Sequence, residues 1–143
     1  MKSSNPFAVD FGTIVSQIRT GCIVGKPQDG DPTESSLEKE VTAIWDTGAQ
    51  MSSISGTLAK SLGLEPIDII QVEGVHGLEE SKIYLVNITP PVGIRFFSMF
   101  VTEARMNSAD ILIGMDIIRY GDFLITNGCQ KTVMKFQVPP REY

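Results

Sequence analysis

Short apolar segments, bounded by glycine, proline or asparagine, recur along the whole chain of 143 residues. Segments of this length fit β strands, because an amphipathic helix needs a longer run with helical periodicity. The 13 glycines and 8 prolines supply the residues that turns between strands require. The pattern predicts a mostly β fold, and a chain of this length can bury the core of one domain.

Eight strands are predicted from the apolar segments, over residues 11–24, 41–45, 67–72, 81–88, 94–101, 109–113, 123–126 and 130–136. The segment 94–101 is almost continuously apolar, which favours a strand buried on both faces. Asn127-Gly128 favours a tight type I′ turn between the last two strands. Residues 25–38 are polar and contain glycine and proline, so they predict a long loop.

Two short helices are predicted between the strands. In residues 52–64, Ser55 is a suitable N-cap and Gly63 can end the helix. Residues 115–120 follow Gly114 and fit a shorter helix before Gly121.

The composition argues against several classes of partner. The net charge is −5, the sequence pI is about 4.8 and the basic residues are scattered, so no nucleic-acid partner is expected. No apolar stretch approaches the roughly 20 residues that cross a bilayer, so no membrane partner is expected. Residues 1–7 lack the apolar core of a secretory signal, which favours a cytoplasmic location.

The cysteines and the histidine do not form a metal-site pattern. Cys22 and Cys129 are far apart, and His76 is the only histidine. No metal and no cofactor are expected. Free cysteine is among the most buried residue types, so both thiols are expected to be reduced and buried in strands.

A carboxylate stands at the end of one apolar segment. Residues 43–49 read AIWDTGA, so Asp46 is followed by a small hydroxyl residue, Thr47, and then by Gly48, which allows close backbone approach. Asp-Thr-Gly by itself also fits an ordinary turn. A distant apolar segment, residues 111–114, is available to pack beneath this loop.

Two segments of the chain resemble the retropepsin-like aspartic proteases. AIWDTGAQMSSISGTLAKSLGL is similar to the active-site strand, loop and helix of that family, and ADILIGMDIIRYGDFLITN to its second signature. The Gly-Met-Asp ending is closer to stand-alone cellular and bacterial members and to the DNA-damage-inducible group than to the viral enzymes. The resemblance implies one all-β, closed-barrel domain over residues 1–143, with a core at about 11–136 and terminal segments at a homodimer interface.

The resemblance also implies roles for individual residues. Asp46 would be catalytic and would face Asp46 of the partner subunit, so that the two carboxylates share one proton and activate a water that attacks a peptide bond. Thr47, Gly48 and Ala49 would form the active-site loop, supported by Ile113 and Gly114. The flap tip that closes over a peptide or protein substrate would consist of Gly74, Val75, His76 and Gly77.

The chain also departs from the viral pattern. Gln50 and Met115 occupy the positions where viral enzymes usually carry an acidic residue and its arginine partner, so the dimer would be stabilised differently. Two other functions stay open: a non-catalytic dimeric module that binds peptides or proteins, and a monomeric scaffold with Asp46 in a turn.

Three further residues have alternative interpretations. Asp116 is expected to cap or anchor the short helix rather than to act as a second acid. Trp45 is expected in the core or in a pocket wall. His76 is expected to be an exposed flap residue rather than a substrate contact.

Overall fold

The computed structural model describes residues 7–141 and contains ten strands in two sheets. The strands are β1 (Phe7–Asp10), β2 (Ile18–Gln28), β3 (Asp31–Trp45), β4 (Ser53–Ile54), β5 (Asp68–Gly74), β6 (Gly77–Thr89), β7 (Phe96–Glu103), β8 (Ile111–Ile113), β9 (Asp122–Thr126) and β10 (Val133–Gln137). The helices are α1 (Gly56–Ser61), α2 (Met115–Ile118) and a 3-10 turn (Gly128–Gln130). The prediction of an all-β fold with short helices is confirmed.

The larger sheet closes into a barrel. Its strand order is β2-β3-β8-β4-β7-β6-β5, and β2 also pairs with β6 through Ile23 and Thr89, which brings the sheet back upon itself. β5 therefore projects from the closed part and forms, with β6, a hairpin whose tip lies at Gly74 and Gly77. We call this β5–β6 hairpin the flap.

The smaller sheet has the order β1-β10-β9 and packs against the barrel through aromatic side chains. Phe136 of β10 is fully buried, with its ring edge-on to Trp45 of the barrel at 5.1 Å between centroids. Phe123 of β9 stacks on the same indole at 5.6 Å. The indole N–H of Trp45 donates to the Thr20 hydroxyl at 2.9 Å, which satisfies its one polar atom. Trp45 is thus a core residue, as expected.

The predicted loop over residues 25–38 is wrong, because this segment continues β2 and β3 as a long hairpin. Its turn is confined to the residues around Gly30, whose φ of +89° suits glycine. The buried amide of Asn87 donates to the Glu34 carbonyl and to the Ser35 hydroxyl. Arg95 bridges the carboxylates of Glu34 and Glu38. The partners that order this polar hairpin therefore come from distant parts of the chain.

The predicted first strand over residues 11–24 is also wrong in its bounds. Strand structure occupies β1 and β2, and residues 11–17 lie between them. The Thr132 hydroxyl accepts a hydrogen bond from the Val15 amide, so this intervening segment is held by a side chain near the other end of the chain. Ile18, Cys22 and Val24 alternate along β2 and are buried on one face of it.

The strand at 94–101 was predicted to be buried on both faces, and this is wrong. β7 begins at Phe96, and Phe97 and Phe100 are 53% and 55% exposed.

In helix α1, the Ser55 hydroxyl accepts from the Leu58 amide at 3.0 Å, which confirms the predicted N-cap. The helix is shorter than residues 52–64, because Ser53 and Ile54 pair as a strand.

The type I′ turn predicted at Asn127-Gly128 is not formed. A 3-10 turn follows instead, with φ of +57° at Cys129 and +60° at Gln130. Asn127 is drawn away from a tight turn because its side-chain oxygen accepts from the Thr132 hydroxyl at 2.6 Å. Cys129 is consequently exposed, so the prediction of two buried cysteines holds only for Cys22. Burial raises the pKa of the Cys22 thiol to about 12.

Candidate active site

Asp46 follows the last residue of β3 and is fixed by the neighbouring strand. β3 and β8 run parallel, with Trp45 opposite Ile113. The Asp46 amide donates to the Ile113 carbonyl at 2.9 Å, which extends the strand pairing by one residue. The carboxylate thus begins a loop from a backbone position that two core strands determine.

The carboxylate of Asp46 organises its own turn. The side-chain Oδ1 accepts from the Gly48 amide at 2.8 Å, and the backbone carbonyl of Asp46 accepts from the Ala49 amide at 3.2 Å. This is an Asx-type turn, in which the side chain takes the place of a backbone acceptor. Thr47 and Gly48 are exposed, and Asp46 is half-buried. A Cβ at Gly48 would lie 3.1 Å from Oδ1, so glycine leaves the carboxylate uncrowded.

A second loop, at Gly114, lies directly against the Asp46 loop. The Met115 amide donates to the Ala49 carbonyl at 2.8 Å. A Cβ at Gly114 would stand 2.8 Å from the same carbonyl oxygen, so only glycine allows this approach. The structure therefore brings Ile113 and Gly114 into contact with the loop that begins at Asp46.

Hydrogen bonds between Ser52 and Asp116 connect the two loops. The sequence analysis predicted an anchoring role for Asp116 but did not identify Ser52. Ser52 is fully buried, and its hydroxyl accepts from the Gly114 amide at 3.0 Å. The same hydroxyl donates to Oδ1 of Asp116 at 2.7 Å, and the Ser52 amide donates to Oδ2 at 2.9 Å. Both carboxylate oxygens of Asp116 thus accept hydrogen bonds from Ser52. Asp116 therefore anchors the loop, as expected, rather than serving as a second acid.

We expect Asp116→Asn to lower the free energy of unfolding by about 2 kcal/mol, because asparagine has one acceptor oxygen and cannot accept from both the Ser52 hydroxyl and the Ser52 N–H. Asp29→Asn is the matched control, since Asp29 is exposed at the β2–β3 turn. Urea denaturation of both variants measures the difference. Equal stability of the two variants would contradict the anchoring role.

Asp46 lines a cavity of about 350 Å³. Its walls are mixed: Ile18, Trp45, Phe123 and Ile125 supply apolar surface, and Ser16, Gln17 and Thr47 supply polar groups. Phe123 and Ile125 were not among the predicted site residues. Their alternate spacing on one strand is the signal that places them on one face. No other carboxylate of residues 7–141 lines this cavity.

The predicted flap residues occupy the tip of the flap. Gly74 pairs with Gly77, so Val75 and His76 form the turn between them, and Gly77 has a φ of +105°. Val75 is 95% exposed and His76 is also exposed. Within residues 7–141, no hydrogen bond or cavity joins this tip to Asp46.

The described residues contain no group of three or more His, Cys, Asp or Glu side chains that could hold a metal ion. No helix among residues 7–141 has the length and apolar character required to cross a membrane.

Comparison with known proteins gives one family and one fold. The family model described as gag-polyprotein putative aspartyl protease matches residues 37–120. A crystal structure of a retropepsin-like aspartic protease from Rickettsia conorii is similar over 96% of this chain and 98% of its own, with a TM-score of 0.60 and 12% identity. The solution structure of simian foamy virus protease is similar over 72% of this chain and 93% of its own, with a TM-score of 0.51 and 14% identity. A search of curated proteins finds no match.

Proposed function

The chain belongs to the gag-polyprotein putative aspartyl protease family, and on this premise we propose that it is an aspartic endopeptidase that works as a homodimer. The observation that carries the proposal is the setting of Asp46. Its carboxylate is held by a fixed loop, Asp46 lines a cavity of apolar and polar residues, and no other carboxylate among residues 7–141 lines that cavity. General acid–base hydrolysis needs two groups, so the second must come from another copy.

A twofold axis beside the loop would bring Asp46 and Asp46 of the partner subunit together. Two carboxylates about 3 Å apart cannot both ionise, so they share one proton. The ionised member takes a proton from water as the water oxygen bonds to the peptide carbonyl carbon. The protonated member donates to the carbonyl oxygen, which gives a neutral tetrahedral diol. The C–N bond then breaks as the protonated carboxyl passes its proton to the leaving nitrogen, while the ionised carboxylate takes a proton from one diol hydroxyl, so that the dyad again holds one shared proton.

The residues around Asp46 have roles in this scheme. Gly48 leaves space for the substrate backbone, and Thr47 lies exposed beside the dyad, where it can hydrogen-bond to the partner loop. Ile113 and Gly114 hold the loop in place. The flap, with Val75 and His76 at its tip, would close over an extended peptide or protein substrate and exclude water. Main-chain hydrogen bonds to the flap would supply affinity, as in strand addition.

Strand β9 offers a surface on which a second copy could pair. It forms one edge of the smaller sheet, so its outer backbone groups have no strand partner among residues 7–141. Leu124 and Ile125 are 49% and 43% exposed although they lie on opposite faces of the strand. Ile125 lines the Asp46 cavity, so β9 lies beside the loop that the dimer must join. Antiparallel pairing of two β9 edges would be isologous, as a twofold axis requires.

We expect Leu124→Glu to raise the dimer dissociation constant by about tenfold or more, because it places like charges near the twofold axis. Leu37→Glu is the matched control, since Leu37 is 45% exposed on β3. Sedimentation velocity over a range of protein concentrations measures both. Unchanged association of Leu124→Glu relative to Leu37→Glu would exclude β9 as the interface.

The endopeptidase activity itself is tested by incubating the protein with a diverse peptide library from acidic to neutral pH. Cleavage that a statine-type inhibitor blocks would support the proposal. Binding of peptides without cleavage at any pH would instead indicate the non-catalytic module. A protein that stays monomeric at high concentration would contradict the split site.

A further inference from the structure

A cavity of about 700 Å³ lies between the flap and the barrel, apart from the cavity at Asp46. Val72 and Glu79 belong to its flap wall, and Gly56 of α1 and Glu103 of β7 belong to its barrel wall. In the proposed function an extended peptide passes beneath the flap. This cavity therefore has the two walls that a part of that peptide would contact.

Strand pairing gives the separation of this cavity from Asp46. The Asp46 amide donates to the Ile113 carbonyl, and the Ser55 amide, at the cavity wall, donates to the Asp110 carbonyl at 2.9 Å. These two carbonyls are three residues apart, from Asp110 directly before β8 to Ile113 at its end, which is about 10 Å at the rise of a strand. A side chain about three residues from the scissile bond would reach the cavity.

Glu103 is a positioned carboxylate in this cavity. Its Oε1 accepts a hydrogen bond from the Tyr84 hydroxyl at 2.9 Å, and Tyr84 is 4% exposed. Burial, and secondarily the Glu103 carboxylate, raise the pKa of Tyr84 to about 12, so this hydroxyl remains a donor. Oε2 has no hydrogen-bond donor among residues 7–141 and is not buried. One oxygen is therefore fixed while the other is free to meet a ligand.

The cavity has an excess of negative charge. Glu79 and Glu80 from the flap line it together with Glu103, and Arg105 is the one cationic residue among the described residues around it. The salt bridges within residues 7–141 involve other cations, so Arg105 does not neutralise these carboxylates by direct contact. A cationic side chain entering the cavity would find acceptors on both walls.

We propose that this cavity is a substrate subsite that selects a lysine or arginine side chain about three residues from the scissile bond, with Glu103 as its main determinant. The inference rests on the proposed endopeptidase function, because that function supplies the peptide and its path beneath the flap. Apolar Val72 would contact the methylene stem of the same side chain while the flap and barrel carboxylates bind its charged end.

The test measures peptide binding without turnover, on the full-length Asp46→Asn protein. One apolar decapeptide carries a fluorophore, and a single lysine is moved through its positions, with norleucine at the same position as the neutral partner. We expect lysine to bind about fivefold more tightly than norleucine at one position, and this advantage to decrease with added salt.

Glu103→Gln keeps an acceptor for Tyr84 and removes only the charge. We expect it to abolish most of the lysine advantage while the norleucine peptide binds as before. Glu40→Gln removes an exposed carboxylate outside the cavity and should preserve the advantage. Glu79→Gln provides a second variant from the flap wall, with an intermediate loss expected.

The outcomes separate the subsite from the activity. Equal binding of lysine and norleucine peptides at every position, or a lysine advantage that survives Glu103→Gln and Glu79→Gln, would overturn the subsite. If wild-type protein cleaves peptides in that case, the endopeptidase function is supported and only the subsite proposal is rejected. A lysine advantage that depends on Glu103, with no cleavage by wild type, would support the subsite and contradict the enzyme.

Discussion

Asp46→Asn is expected to reduce peptide cleavage by about 10⁴-fold while the protein remains folded and dimeric. Asparagine preserves the shape of the side chain and keeps an oxygen that can accept from the Gly48 amide, as Oδ1 does in the wild type. It can neither take a proton from water nor hold the shared proton of a dyad. In a homodimer one substitution removes both catalytic groups, so no residual general base remains.

Initial cleavage rates on a fluorogenic peptide, together with thermal unfolding and sedimentation, measure this effect. Asp29→Asn is the matched control, because it makes the same chemical change at an exposed turn far along the chain from the loop. Retained cleavage by Asp46→Asn would remove Asp46 from the mechanism.

Mixing the two proteins tests whether the site is divided between subunits. Wild type and Asp46→Asn in equal amounts, after subunit exchange, should show roughly half the activity of the same quantity of wild type alone, because half of the wild-type chains then face an asparagine. Activity unaffected by the inactive chain would mean that each subunit works alone.

Phe136→Ala is expected to lower the free energy of unfolding by about 3–5 kcal/mol, the usual range for a buried phenylalanine. Phe136 is fully buried and contacts Trp45 and Phe123, so its ring fills the junction between the two sheets. The loss combines the transfer of the ring to water with the cavity that remains, because both sheets limit how far the site can collapse.

Phe97→Ala is the matched control, because Phe97 is 53% exposed on β7 and should change stability by less than about 1 kcal/mol. Urea denaturation at one fixed protein concentration compares the variants, since association also contributes to apparent stability. Similar losses in the two variants would show that the sheet junction is not the principal core. The Phe136 variant should also lose activity, because β9 and the Asp46 cavity depend on this junction.

The sequence was informative wherever a structure depends on neighbouring residues. The N-cap at Ser55 needs a hydroxyl three residues before an amide, and the structure has that bond. The Asp-Thr-Gly loop after an apolar strand likewise follows from local order, because Asp46 makes its turn with Gly48 and Ala49. Local patterns failed where distant partners intervened, as Asn87 and Arg95 do for the β2–β3 hairpin.

The sequence by itself determined that this chain would be mostly β, with one carboxylate at the end of an apolar strand and a second apolar segment to support it. Only the tertiary structure decided what surrounds that carboxylate. It placed β9 beside Asp46, bound Asp116 to Ser52, and set Glu103 opposite the flap. The physical reason is that the tendency to form a strand depends on neighbouring residues. Which strand, hydroxyl or carboxylate lies next to a given group depends instead on packing between segments far apart in the chain.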